Sequence, residues 1–116
     1  MIFDLCLIKD PTANLGKGTL TLKFVTDSGE RMMEEAKMLA VYADSERGTV
    51  DLEIAGIAFS SVTVKSPMID MTKRELTLSF TADYKDNEKA YKLASLNRDN
   101  TYRLEINPHQ LPLTGM

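Results

Sequence analysis

The sequence predicts an α+β domain in which one β-β-α-β unit occurs twice, giving six mainly antiparallel strands with two helices packed on the sheet. Three observations carry this prediction. The two parts of the chain resemble each other, short stretches alternate apolar and polar residues as strands do, and two segments repeat apolar residues at a helical period. Two related units in one small domain predict a pseudo-twofold axis between them.

The internal similarity can be followed residue by residue. At an offset of 56 positions, the first unit matches the second without a gap in the pairs Phe3/Phe59, Lys9/Lys65, Pro11/Pro67, Lys17/Lys73, Leu20/Leu76, Thr21/Thr77, Leu22/Leu78 and Phe24/Phe80. Offsets of 54 and 52 then match the helices and the closing strands, and the length changes fall in expected loops. We predict one domain over residues 1–106, made of repeats 1–54 and 57–106, and an extended tail over 107–116.

Strand one, residues 2–9, is apolar on both faces. Phe3, Leu5 and Leu7 alternate with Ile2, Cys6 and Ile8, whereas the matching strand 59–65 carries Ser61 and Thr63 in place of Leu5 and Leu7. We therefore expect strand one to be covered on both sides, either by the tail of the chain or by a partner subunit.

The remaining elements follow in order. Residues 10–18 and 67–74 have the composition of hairpin turns, and residues 19–24 and 75–80 are half-buried strands. Asp27 and Asp86 are the expected caps of two helices of about three turns, which pack on the sheet through Ala-Leu-Ala sets. Residues 49–54 and 101–106 close the two units, and residues 55–58 join them. The pattern allows one continuous sheet or two facing sheets.

Helix one has apolar residues outside its sheet-packing stripe: Met38, Val41 and Tyr42. One interpretation is a larger core on the first unit. The other is an interface for a protein partner or for a second copy of the chain, formed by Phe3, Leu5, Leu7, Met38, Val41 and Tyr42. This second interpretation includes a homodimer.

Basic residues concentrate in the second unit, with tyrosines between them, which is typical of single-strand binding. The candidate nucleic-acid residues are Lys65, Lys73, Arg74, Lys89, Lys92, Arg98 and Arg103. Against this interpretation, the chain carries a net charge of −3 with a pI near 5.1, and Lys89 and Lys92 suit the solvated side of a helix.

Catalysis finds little support in the sequence. His109 is the only histidine and lies in the tail, and Cys6 is the only cysteine and lies in an apolar strand. The acidic residues stand in turns, where they shape loops and cap helices. We expect a protein that is not an enzyme, with no metal and no cofactor. With no apolar run long enough to span a membrane, we also expect a cytoplasmic protein.

The run IDMTKRELTLSF (residues 69–80), followed by LASLNRDNTYRLEI (93–106), resembles a module of small early-region proteins of phages and prophages of Gram-positive bacteria. The shared pattern is a turn, an L-x-L-x-F strand, a short helix and a closing R-L-x-I strand. This resemblance implies a phage or mobile-element origin. We expect a non-enzymatic binding protein that acts through protein–protein association, as an inhibitor or modulator of a host or defence protein. The alternative is a nucleic-acid-binding accessory protein of phage replication or recombination.

Overall fold

The computed structural model describes residues 1–27, 29–43, 48–96 and 98–109. The strands are β1 (Ile2–Ile8), β2 (Thr12–Asn14), β3 (Thr19–Thr26), β4 (Val50–Ile54), β5 (Ile57–Val64), β6 (Met68–Asp70), β7 (Glu75–Asp83) and β8 (Tyr102–Pro108). The helices are α1 (Met32–Ala43) and α2 (Asn87–Ala94), each preceded by a 3-10 turn, Gly29–Arg31 and Tyr84–Asp86 respectively.

Six of these strands close into a barrel. They follow one another in the order β3, β1, β8, β4, β5 and β7, and β7 pairs back onto β3 to complete the ring. All pairings between the described strands are antiparallel. The α+β class and the antiparallel pairing are confirmed, and the question of one sheet or two is answered by a single sheet that closes on itself.

The barrel interior is filled by side chains. Phe3, Phe24, Phe59 and Phe80 are all at most 2% exposed, and the rings of Phe24 and Phe80 lie 6.0 Å apart at a tilt of 53°. Burying one such ring stabilises the fold by about 1.5–3 kcal/mol. The helices add to this core, since the buried residues of α1 and α2 belong to the same apolar cluster as the four rings. α1 contacts β5 and β6, and α2 contacts β5 and β3.

The two predicted hairpin turns each contain a short strand. The Lys9 N–H donates to the Lys23 carbonyl at 3.0 Å, and pairing with β3 resumes at Thr12 and Thr21 after a shift of one residue. β1 and β2 are therefore one bulged arm along β3, and β5 and β6 form the same kind of arm along β7.

A second bulge corrects the predicted faces of strand one. The register of β1 against β8 shifts between Phe3 and Cys6, so that Phe3, Cys6 and Ile8 all point into the barrel. The predicted grouping of Phe3 with Leu5 and Leu7 on one face is wrong, because the bulge turns Leu5 outward, where it is 64% exposed.

The helix starts also differ from the prediction. Asp27 accepts the N–H of Gly29 at 2.9 Å, as a residue at a helix start should, but the side chain of Asp86 makes no capping hydrogen bond. Asp83 takes that role by accepting the N–H of Lys85 at 2.8 Å, at the start of the 3-10 turn. α1 has the expected three turns, whereas α2 has only eight residues.

The chain end forms part of the barrel wall. β8 continues to Pro108 and pairs with β4 as far as Val50, so the first residues of the predicted tail belong to a strand. The rest of the predicted tail, residues 110–116, lies outside the described residues.

Candidate interaction surfaces

An apolar groove of about 320 Å³ lies beside α1. We call it the helix-one groove, and its lining residues are Met1, Met38, Leu39, Val41, Tyr42, Val50, Ile106 and Pro108. Met38 is 59% exposed and Val41 42%, while Tyr42 is half-buried against the core. The groove therefore brings together the three helix residues that the sequence marked as a candidate interface.

The other wall of the helix-one groove depends on the chain terminus. The Met1 ammonium donates to the Ile106 carbonyl at 2.9 Å, and the Ile106 N–H donates to the Met1 carbonyl at 2.8 Å. These bonds hold Met1 against β8 beside the helix. Sequence reasoning missed Met1, Ile106 and Pro108, because only the closure of β1 onto β8 brings them to α1.

The predicted residues of strand one do not join this groove. Phe3 is buried in the barrel, Leu5 borders a shallow pocket with Ile2 and Arg31, and Leu7 borders another with Arg98. The predicted interface is thus divided, because none of these three strand residues lines the helix-one groove.

A second groove, of about 330 Å³, lies between α2 and the β2–β3 hairpin. We call it the tyrosine groove, and it is lined by Pro11, Thr12, Ala13, Leu15, Leu20, Tyr84, Asn87, Ala90, Tyr91 and Ala94. The Tyr84 N–H donates to the Gly18 carbonyl at 3.0 Å and so ties the start of the helical segment to the hairpin. Tyr91 is 72% exposed, and its ring is available to a ligand.

The predicted nucleic-acid residues are not brought together. Lys65 follows β5, Lys73 and Arg74 lie in the β6–β7 turn, Lys89 and Lys92 lie on α2, Arg98 lies beyond α2, and Arg103 lies on β8. β8 and β7 occupy opposite positions in the six-strand ring.

Two of these cations already have partners. Arg98 lies 2.7 Å from Asp10, and Lys89 lies 3.9 Å from Asp86 and 5.9 Å from the Phe59 ring centroid.

A set of basic residues that shares only Lys65 with the predicted one is aligned on the outside of the barrel. Lys9, Lys23, Ser79 and Lys65 occupy four adjacent strand positions: Lys23 pairs with Ser79, the Lys9 N–H donates to the Lys23 carbonyl, and the Lys65 N–H donates to the Ser79 carbonyl. We call this set the lysine row. Its three lysines are exposed and form no ion pair with a carboxylate in the described ranges.

Threonines form a parallel row two residues further along the strands. Thr12 pairs with Thr21, Thr21 with Thr81, and Thr81 with Thr63. Sequence reasoning missed both rows because it grouped the basic residues by predicted unit, whereas each row combines residues of both predicted units. The match of Lys9 to Lys65 at the repeat offset was the available signal.

The opposite wall of the ring carries a pair of glutamates. β4 and β8 face β3 and β7 across the barrel, and Glu53 and Glu105 pair directly on its outer surface. The protein therefore places its aligned lysines and its paired glutamates on opposite sides.

His109 interacts with the carboxylate of Asp51. Its Nδ1 lies 2.8 Å from Asp51 Oδ1, which also accepts the Ser61 N–H at 2.8 Å. Burial acts to raise the pKa of Asp51, but the Ser61 hydrogen bond, the His109 hydrogen bond and the imidazolium charge outweigh it and lower that pKa.

Cys6 has the character of a core residue. Its side chain is 0% exposed, and burial, opposed in part by the nearby Thr26 side chain, raises the pKa of the thiol to about 12. The thiolate, which is the nucleophile, is therefore scarce at neutral pH. No group of three or more His, Cys, Asp and Glu residues within the described ranges is placed to hold a metal ion. In the same ranges, no helix has the length and apolar character needed to cross a membrane.

The fold and these surfaces define a small α+β protein built on a closed six-strand antiparallel barrel. No family model, curated protein or solved structure matches the chain.

Proposed function

We propose that the protein is a small, non-enzymatic, cytoplasmic binding protein of phage or mobile-element origin that acts through protein–protein association. Its role would be to inhibit or modulate a host or defence protein, in keeping with the resemblance of residues 69–80 and 93–106 to phage early-region modules. The observation that carries the proposal is the helix-one groove, where exposed Met38 and Val41 stand beside an apolar recess. Apolar surface of this kind is typical of association sites, and Met adapts to varied partners.

We assign the helix-one groove to contact with a second copy of the chain. The same surface carries a projecting apolar helix face and a hollow next to it, which is the requirement for a self-complementary twofold contact. In such a dimer, Met38 of each copy would fill the recess of the other.

The two side chains that could act as a nucleophile or a general base, Cys6 and His109, support a role without catalysis. Burial keeps the Cys6 thiol protonated, and His109 Nδ1 is engaged by Asp51 in a short hydrogen bond that links the end of β8 to β4. Both groups have a structural part in the barrel.

Sedimentation equilibrium across a range of micromolar concentrations tests the association. We expect the wild type to dimerise and Met38→Glu to remain monomeric, because a buried unpaired carboxylate opposes the contact. Tyr91→Glu is the matched control, since it adds the same charge to an exposed position on the other helix. The variant Leu5→Lys tests whether β1 also contributes to the dimer contact. A wild type that stays monomeric throughout, or a Met38→Glu variant that dimerises normally, would remove the second copy as occupant.

We further propose that the barrel arose by duplication of the β-β-α-β unit and has a pseudo-twofold axis through the Lys23–Ser79 and Glu53–Glu105 pairs. The support comes from strand registers that recur at the repeat offsets: Phe3–Leu104 corresponds to Phe59–Leu52, and Cys6–Tyr102 corresponds to Val62–Val50. Separately expressed units, residues 1–56 and 57–116, should then associate when mixed, and two units with no affinity for each other would count against a twofold origin.

A second candidate function is that of a nucleic-acid-binding accessory protein of phage replication or recombination. The observation that favours it is the lysine row, whose three lysines form no ion pair within the described part of the chain and lie opposite the Glu53–Glu105 pair. Salt-sensitive binding of oligonucleotides tests it, because phosphate contacts weaken as salt rises.

A further inference from the structure

We propose that the lysine row and the tyrosine groove form one continuous site for single-stranded nucleic acid, with the lysines on the phosphates and a base in the groove. This inference deepens the second candidate function and rests on it. Of the residue set that the sequence suggested, it keeps Lys65 and adds Lys9 and Lys23.

The spacing of the lysine row suits contacts with successive phosphates of a nucleic-acid backbone. Neighbouring strands lie about 4.8 Å apart, so Lys9, Lys23 and Lys65 span roughly 14 Å across the strands. Lys9 and Lys23 are direct neighbours with like charge, an arrangement that is destabilising unless an anion lies between them. Ser79 fills the one position without a lysine and can donate a hydrogen bond to the same ligand.

The threonine row supports the lysine row. Thr12, Thr21, Thr81 and Thr63 run parallel to the lysines on the same outer surface. Hydroxyl groups in such a row donate hydrogen bonds to phosphate and sugar oxygens without reading sequence.

The tyrosine groove adjoins the threonine row at Thr12. Thr12 belongs to the threonine row and also lines the groove. A single-stranded nucleic acid that extends beyond the lysines therefore reaches the groove around the edge of β2. Tyr91 offers a largely exposed ring, and Tyr84 lies beside it. Bases of any sequence stack on such rings. Ala13 lines the groove with a small side chain, whereas Ile69, its counterpart at the offset of 56, packs against the core.

The charge distribution orients the ligand. Glu53 and Glu105 lie on the opposite wall and repel a polyanion from that side. A single strand is thereby directed to the wall that carries the lysine row.

Fluorescence anisotropy with a labelled oligo(dT) probe tests this site on the full chain. For three phosphate contacts we expect a salt slope of about −2, which is a loss of affinity of roughly 20-fold between 50 and 200 mM salt. A triple variant with Lys9→Gln, Lys23→Gln and Lys65→Gln should lose most of this affinity and of the slope. Tyr91→Ala should weaken binding by at least about fivefold with the slope unchanged, because it removes stacking and no charge.

The matched control is the triple variant Lys37→Gln, Lys85→Gln and Lys92→Gln, which removes the same charge from exposed positions on the helical segments. It should retain most of the affinity. Equal losses in the two triple variants would overturn the site while leaving nucleic-acid binding in place. An absence of binding at low salt would overturn the second candidate function together with the site.

Discussion

Glu53 on β4 and Glu105 on β8 are direct partners across an antiparallel strand pair, on the outer surface of the barrel. Their neighbours in the same row are Ala58 and Ile2, so no cation lies beside them in the row. Two like charges in this position destabilise the pair of strands. The glutamate pair and the lysine row therefore lie on opposite walls of the barrel.

Reversing one of these charges should stabilise the protein. Glu53→Lys replaces repulsion with an ion pair and should raise the free energy of unfolding by roughly 0.5–1 kcal/mol, measured by urea denaturation at low salt. The gain should shrink as salt screens the pair. The double variant Glu53→Lys with Glu105→Lys restores a like-charge pair and should lose the gain. If the double variant is as stable as the single one, the two positions do not interact.

Much of the fold was predictable because it depends on local patterns. The alternation around Leu20, Leu22 and Phe24, and its repetition around Leu76, Leu78 and Phe80, fixes which side of each strand is buried, and these six residues are indeed in the core. The bulge between Phe3 and Cys6 was not predictable, because an apolar strand reads the same in either register. Barrel closure was likewise hidden, since the β3–β7 pairing joins residues far apart in sequence.

The candidate surfaces were predictable only in part. Met38, Val41 and Tyr42 stood out as apolar residues off the helix stripe, and they do line one groove. The other wall of that groove is formed by Met1 and Pro108, which carry no signal before β1 and β8 are paired. The lysine row shows the same limit, because Lys9 and Lys23 belong to the first predicted unit and Lys65 to the second.

The thiol of Cys6 should be unreactive in the native protein. Burial raises its pKa to about 12, so both access and thiolate content are low at pH 8. A disulfide reagent such as DTNB should label Cys6 slowly in buffer and rapidly in denaturing urea. The variant Cys6→Ala with Ser79→Cys places the only thiol on the barrel surface and should react at once in buffer. Rapid labelling of the native wild type would show that the barrel opens around β1.

A substitution at Ala55, in the turn between β4 and β5, should stabilise the protein. Ile54 pairs with Ile57, and the two residues between them, Ala55 and Gly56, have φ values of 52° and 77°. Two-residue hairpin loops with positive φ at both positions favour Asn-Gly, because Asn tolerates this conformation better than Ala. Ala55→Asn should raise the midpoint of urea denaturation by an amount equivalent to about 0.5–1 kcal/mol. Ala58→Asn, on the neighbouring exposed position of β5, is the control and should bring no gain.

The interaction between Asp51 and His109 should make the protein sensitive to acid. The pKa of Asp51 is lowered in the folded state, so its carboxylate stabilises the fold above about pH 3.9, the value of an unstructured Asp. That stabilisation is lost as the pH falls through the lowered pKa. Asp51→Asn keeps acceptors for the Ser61 and His109 groups but cannot titrate, and its free energy of unfolding should fall less than that of the wild type between pH 4 and pH 2. Glu34→Gln, on the exposed side of α1, should follow the wild type. An NMR titration of the Asp51 carboxyl carbon with a midpoint at or above 3.9 would contradict the interaction.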